Sequence, residues 1–330
     1  MIFLTGGTGL LGLAVLEALR SSDLRCTALV RSPEGARTVA AFGATPMIGT
    51  VEDAAVWRSV TTASAIVHCA ALLRSREGWA GFERVNILGT RLAAARAREL
   101  EVPMVHLSSV AVYGDVSRRP DGSVSEGHAW TELPPQNLYA RSKREAEQAV
   151  GREVDGGLRA IVLRPCPLYG AGDRLFIPRL VASARRGWMP LVGRGDRPVP
   201  LVHARSAAQA VVAALAARGS RGEAYNVVGD GTITARGIVT AAEAGSGRPI
   251  RTFPVPTALA FALADGFDIA ARRVPAGRMP GTARTGIGYW RGGDPFDGSA
   301  IQRALGWAPR ADHPREIAHA VREQMAAGAR

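Results

Sequence analysis

Apolar positions along the chain fall into two alternating patterns. "MIFLTGG" at the start is a short apolar run stopped by glycines, and "LGLAVLEALR" behind it repeats apolar residues at helical spacing. The first unit therefore reads strand, tight turn, helix. The alternation continues with "RCTALV" as strand and "PEGARTVAAF" as helix, then "TPMIG" as strand and "VEDAAVWRSV" as helix. "SAIVHCAA" is a further strand, "WAGFERVNILGTRLAAARAREL" a long helix, and "PMVHLSSV" the next strand. Strands and helices joined this tightly imply a parallel sheet covered on both faces.

The expected class is thus α/β, a Rossmann-type doubly wound parallel sheet. From Tyr113 to Pro135 the chain is polar and rich in Pro, Gly and Ser, which predicts a long loop over a site. A helix carrying YARSK (139–143) and the strand "LRAIVLRP" follow. Beyond Pro165 the alternation weakens, so residues 1–165 are expected to form a dinucleotide-binding domain and 166–330 mainly a smaller C-terminal substrate-binding lobe. The strand "EAYNVVG" suggests that residues of about 200–228 return to the first sheet.

Composition narrows the function. Of 330 residues 47% are hydrophobic and 21% charged, as in ordinary globular proteins, and the net charge is +12. The arginines are scattered with few aromatics among them, which argues against a nucleic-acid groove and for a general preference for anionic ligands. Cys26, Cys69 and Cys166 are far apart and not in CxxC form, which suits a reducing cytoplasm and provides no zinc spacing. The glycine-broken N-terminus lacks a basic leader, so it does not read as a signal peptide. No apolar run is long enough to span a bilayer, and no stable membrane insertion is expected.

TGGTGLLG (5–12) places Gly6, Gly9 and Gly12 between a strand and a helix. The first allows a tight turn, the second lets backbone approach a pyrophosphate, and the third lets helix pack closely on strand. At the end of the second strand an acid would bind the ribose hydroxyls of NAD, whereas Arg31 with Ser32 suits the 2′-phosphate of NADP. NADP(H) is the expected cofactor, with NAD(H) the alternative.

Lys143 is the only lysine among 41 basic residues. It is either a stray on a wet helix face or a compact ammonium whose task a planar guanidinium cannot perform. Tyr139 lies four residues earlier, on the same face of a helix. A free phenol titrates near ~10, and a cation held beside it favours the phenolate. Ser108 and Ser109 end a strand at the edge where open α/β sheets bind ligands.

Taken together, TGGTGLLG, "HCAA", "NILGT", "SSVAVYG", YARSK and "RPCPLYGAGD" resemble the extended short-chain dehydrogenase/reductase superfamily. This group includes NAD(P)-dependent epimerases and dehydratases and the 3β-hydroxysteroid dehydrogenase and dihydroflavonol-reductase-like branch. The resemblance implies that Tyr139 donates or accepts the proton, that Lys143 lowers its pKa, and that Ser109 holds the substrate oxygen, with Ser108 the alternative. It also implies that Gly6, Gly9, Leu10, Leu11 and Gly12 cradle the pyrophosphate. Cys69, Ala70 and Ala71 would line the nicotinamide ribose, and Pro165 to Leu168 would back the nicotinamide ring. Asn86 would brace the site or serve as a plain structural residue; His68, His203 and Cys166 read as structural.

Val110 and Ala111 stand where the sugar-nucleotide dehydratases carry Asp-Glu, and Val199 stands where many nucleotide-sugar enzymes carry an arginine. "PVPTALAFALADGF" (254–267) resembles helices that cover hydrophobic substrates, and reads equally as core or as a dimer helix. These departures imply hydride transfer to or from a keto or hydroxyl carbon of a mainly apolar small molecule, without a metal. A cytoplasmic homodimer is expected. The rivals are a nucleotide-sugar epimerase or 4-ketoreductase using Arg174, Arg179, Arg194 or Arg197, and a non-catalytic NADP-binding regulator.

Overall fold

A computed structural model describes residues 1–117, 119–217, 219–271 and 283–327. The predicted alternation is present: β1 (Ile2–Thr5), α1 (Leu10–Ser21), β2 (Cys26–Val30), α2 (Pro33–Ala41), β3 (Thr45–Ile48), α3 (Ala54–Ser59) and β4 (Ala65–His68). The long helix is α4 (Trp79–Phe82) and α5 (Gly89–Glu99), joined by a π-helical segment, Glu83–Leu88. Then come β5 (Met104–Leu107), a 3-10 turn (Val110–Tyr113), α6 (Leu138–Asp155) and β6 (Ala160–Pro165). Residues 114–137 contain no helix or strand among those described, as their composition predicts.

The remainder comprises β7 (Leu168–Tyr169), α7 (Ile177–Arg186), β8 (Trp188–Val192), β9 (Val202–His203), α8 (Ala204–Ala216) and β10 (Glu223–Val227). It ends with α9 (Ala235–Ser246), β11 (Arg251–Val255), α10 (Thr257–Ala271), α11 (Ala283–Arg291), α12 (Ser299–Leu305) and α13 (His313–Ala327).

Seven strands form one parallel sheet in the order β10-β6-β5-β4-β1-β2-β3. The order reverses between β1 and β4, which is where open α/β sheets hold their ligands. Alternate strand residues feed two cores. Leu4, Val67 and Val105 pack with Val15, Leu16 and Leu19 of α1 and Ala207 and Val211 of α8. Phe3, Ile66 and Met104 pack on the opposite face with Trp57 of α3, Ala93 and Ala97 of α5 and Val150 of α6. Strands buried on both faces need no polar alternation, so their runs are continuously apolar. A third core joins α7, α9 and α13 with β8 through Leu180, Leu191, Ile238 and Ile317. β10 pairs with β6 and so lies in the main sheet although it follows α7 and β8 in sequence.

Candidate active site

The glycine turn has the geometry its residue types demand. Gly6 has φ +74°, and a Cβ there would sit 2.7 Å from Ala70 N. Gly12 is tighter still, because its Cβ would fall on the Gly6 carbonyl. At Gly9 an added Cβ would meet only Gly6 O at 3.4 Å, so this side of the turn is open to a ligand. Gly9 caps α1 in extended conformation and no side chain spends the helix's first N–H groups, those of Leu10, Leu11 and Gly12. Unspent N–H groups on a helix end carrying partial positive charge make an anion site. A dinucleotide pyrophosphate fits this cradle.

Thr5 fastens the turn to the next strand end. Its hydroxyl accepts from Ala70 N at 3.2 Å and lies 2.9 Å from His68 Nδ1. Cys69, Ala70 and Ala71 are thereby held as a half-buried shelf beside Gly6. Arg31 follows β2 directly, is exposed, and makes no ion pair among the described residues. Ser32 is partly committed, since its Oγ accepts from Gly35 N at 3.1 Å and caps α2.

Ser109 and Tyr139 come together. The Ser109 hydroxyl accepts from Ala111 N at 3.2 Å and lies close enough to the Tyr139 phenol to favour its phenolate. Burial pushes this phenol up to about 12, against the lowering effect of Ser109. Tyr139 keeps some access to solvent, whereas Ser108 is buried and its Oγ has no partner among the described residues.

Lys143 is 3% exposed and its Nζ donates to Leu107 O at 2.6 Å. Burial lowers it to about 8, with the charges of Cys69 and Glu147 opposing. The lone lysine is therefore a buried cation. It is held by the end of β5, one helical turn along α6 from Tyr139. The expected net lowering of the Tyr139 phenol is not found, because burial outweighs what favours the phenolate.

The surroundings of Lys143 are polar and sealed. Asn86 lies in the π-helical segment and is 1% exposed. Its side chain accepts from Leu72 N at 2.7 Å and donates to Leu72 O at 3.0 Å and to Ser142 Oγ at 2.8 Å. It thus ties the shelf after β4 to the residue next to Lys143. His68 and His106 stack at 5.7 Å with ring planes 17° apart. Burial first, and Lys143 second, pushes His68 down to about 3 and His106 well below its usual value, so both are neutral.

The periodicity gave no signal for the roof. Tyr289 of α11 sits near Tyr139 and Cys166, and burial raises its phenol. A narrow cleft of about 20 Å³ lies beside it, lined by Gly114, Asp115, Arg119, Arg197 and Tyr289. Behind the site Arg164 pairs with Glu147 at 2.6 Å, both nearly buried, and donates to the Tyr113 hydroxyl at 2.9 Å. Tyr113 in turn donates to Asn226 of β10 at 2.8 Å. Pro165 ends β6, and Leu168 pairs with Val202 in a separate two-stranded sheet. His203 caps α8, accepting from Arg205 N at 3.2 Å. Among the described residues no three His, Cys, Asp or Glu gather as metal ligands, and no helix is long and apolar enough to cross a membrane.

Known proteins resemble this chain in sequence and fold. The chain is 32% identical over 330 residues to a 4-hydroxy-2-methyl-3-oxo-4-farnesyl-3,4-dihydroquinoline-1-oxide ketoreductase of Stigmatella aurantiaca, covering 99% of this chain and 97% of that one. It is 26% identical to a 2-alkyl-3-oxoalkanoate reductase of Shewanella oneidensis, over 93% of this chain and 81% of the relative. A UDP-glucose 4-epimerase from Thermotoga maritima superposes with a TM-score of 0.74 at 16% identity, over 100% and 99% of the two chains, and so shares the fold. The profile of the NAD-dependent epimerase/dehydratase family matches residues 2–228, a span running from the glycine turn through the YARSK helix to β10. This chain belongs to that family and is an oxidoreductase of the NAD(P)-dependent kind.

Proposed function

We propose that this enzyme is an NADP(H)-dependent ketoreductase acting on a mainly apolar small molecule. The observation that carries the reading is the Ser109–Tyr139 pair, in which a phenol pushed up to about 12 stays protonated at neutral pH. Such a phenol is ready to donate, the role that reduction of a ketone requires. The nicotinamide, when bound, supplies the hydride. Ser109 and Tyr139 hold the carbonyl oxygen by hydrogen bonds, which strengthen as negative charge builds on it. Tyr139 then gives its proton to that oxygen, and the buried Lys143 ammonium stabilises the phenolate left behind.

Arg31, exposed and unpaired among the described residues, supports the NADP preference through a charge-assisted bond to the 2′-phosphate. The apolar substrate class rests on the 32% relative, whose name specifies a keto and a farnesyl group. Residues 1–165, completed by β10, are read as the dinucleotide half, and 166–330 mainly as the substrate half. The three free cysteines suit a cytoplasmic enzyme.

NADPH consumption against a panel of apolar ketones tests the reading. Tyr139→Phe should cut kcat by roughly 10²–10⁴ while leaving the NADPH Kd within about twofold. Turnover that survives in this variant would remove the mechanism, and faster turnover with NADH than NADPH would remove the cofactor assignment. A second reading, nucleotide-sugar chemistry, is favoured by Arg119 and Arg197 in the cleft, although Arg197 already pairs with Asp121 at 3.0 Å. Co-purified, non-exchanging NAD would favour it.

A further inference from the structure

Helix α10 spends both its aspartates on α11. Asp265 accepts from Arg284 of α11 at 2.8 Å, and Asp268 accepts from the N–H groups of Ala283 and Arg284 at 2.9 and 3.1 Å. Ala260 and Ala264 are buried on the same side. Beside the half-exposed Asp265 carboxylate, the outside is mainly apolar: Leu259, Leu263, Phe267 and Ile269 are 51%, 64%, 43% and 53% exposed. The other exposed positions from 257 to 270 are alanines and one glycine. A surface helix of a globular protein carries its charges on the solvent side. One that shows water large apolar side chains at i, i+4 and i+8 marks a surface meant to be covered.

The neighbouring element continues the character. β11 runs through Pro256 into α10, and its Phe253 is 46% exposed and packs against Trp188 of β8 at 5.8 Å. Arg186 stacks over Trp188 at 5.1 Å; Arg185 is exposed at the end of α7, and Arg248 and Arg251 are exposed just before and at the start of β11. Aromatic rings and guanidinium groups beside a leucine-rich helix are the composition of a segment that lies in a lipid headgroup layer. Charge decides between this and a second copy of the chain. At net +12, two copies repel, whereas an anionic lipid surface attracts each arginine.

We propose that the outer face of α10 seats in the headgroup–acyl boundary of an anionic phospholipid bilayer, making this a peripheral membrane-surface enzyme. Attachment itself does not depend on the ketoreductase reading. That reading adds only what is collected there: an apolar ketone leaving the bilayer beside α10 meets α11, whose Tyr289 adjoins Tyr139.

The test uses the whole protein, free of cofactor and substrate, sedimented with vesicles of phosphatidylglycerol or of phosphatidylcholine. Binding to phosphatidylglycerol is expected, falling about tenfold or more in phosphatidylcholine or at high salt. The double variant Leu259→Ser, Leu263→Glu should lose at least about tenfold in partitioning. Its NADPH consumption with a water-soluble short-chain ketone should equal that of the wild type. Wild type left in solution by phosphatidylglycerol vesicles, or equal partitioning of wild type and variant, overturns the proposal. So does a dimer on size-exclusion chromatography that the double variant splits, since the face would then be covered by a second copy. Absence of any ketone turnover in the wild type bears on the ketoreductase reading alone, because vesicle binding is read without catalysis.

Discussion

Replacing Lys143 with methionine should stabilise the cofactor-free protein at neutral pH while abolishing turnover. Burial lowers this ammonium from a lysine's ordinary 10.5 to about 8. At about 1.4 kcal/mol per tenfold, holding it charged at pH 7 costs about 3 kcal/mol. Methionine removes that cost but leaves the Leu107 carbonyl without its donor, which returns about 1–2 kcal/mol. The net gain is about 1–2 kcal/mol. The sign with pH is fixed by linkage. Below pH 8 folded and unfolded chains both hold the proton and the penalty is complete. Between 8 and 10.5 the folded lysine has released it and the unfolded one has not, so wild-type stability rises and the variant's advantage shrinks. Urea unfolding of both proteins at pH 7 and pH 9.5, beside NADPH consumption, reads this directly. A variant less stable at pH 7, or a difference that does not narrow by pH 9.5, would refute the buried-charge account.

Four further outcomes are expected. Arg31→Ala should raise the KM for NADPH by roughly 10–100-fold and leave that for NADH nearly unchanged, the loss of one charge-assisted contact to phosphate. Gly12→Ala should abolish measurable dinucleotide binding by fluorescence titration, because the new methyl falls on the Gly6 carbonyl and one of the two segments must move. Glu147→Gln should lower stability by about 3–5 kcal/mol in urea unfolding, since it strands the buried Arg164 charge. The exposed Arg141–Glu145 pair, broken the same way, should cost under about 1 kcal/mol.

The features legible in the sequence were those where backbone geometry or chemistry admits few residue types. Gly6 and Gly12 are glycine because a Cβ has no room, and this leaves a pattern any reader can find. Tyr139 and Lys143 announce a shared helix face by their spacing. Depth is another matter. Periodicity places Lys143 on a face, but its bond to Leu107 O and the upward shift of Tyr139 depend on how α6 seats over β5. Tyr289 left no trace because its proximity to Tyr139 spans half the chain. The π-helical segment that turns Asn86 inward is indistinguishable from uninterrupted helix in the sequence, since one widened turn barely disturbs the apolar rhythm. The 254–267 segment was apolar in any reading, and only the structure distinguishes its buried alanines from its exposed leucines.

The place of β10 governs how the chain is made. It pairs with β6 at the edge of the main sheet, and α8, which precedes it, packs against α1. A nascent chain that has just released Pro165 from the ribosome therefore has an open sheet edge at β6 and an uncovered α1. At about 5–20 residues per second, several seconds pass before β10 emerges. Until then the half-made sheet presents unpaired N–H and C=O groups to any passing strand. A gene cut at the apparent domain boundary would make that state permanent, and its product is expected in inclusion bodies rather than in solution.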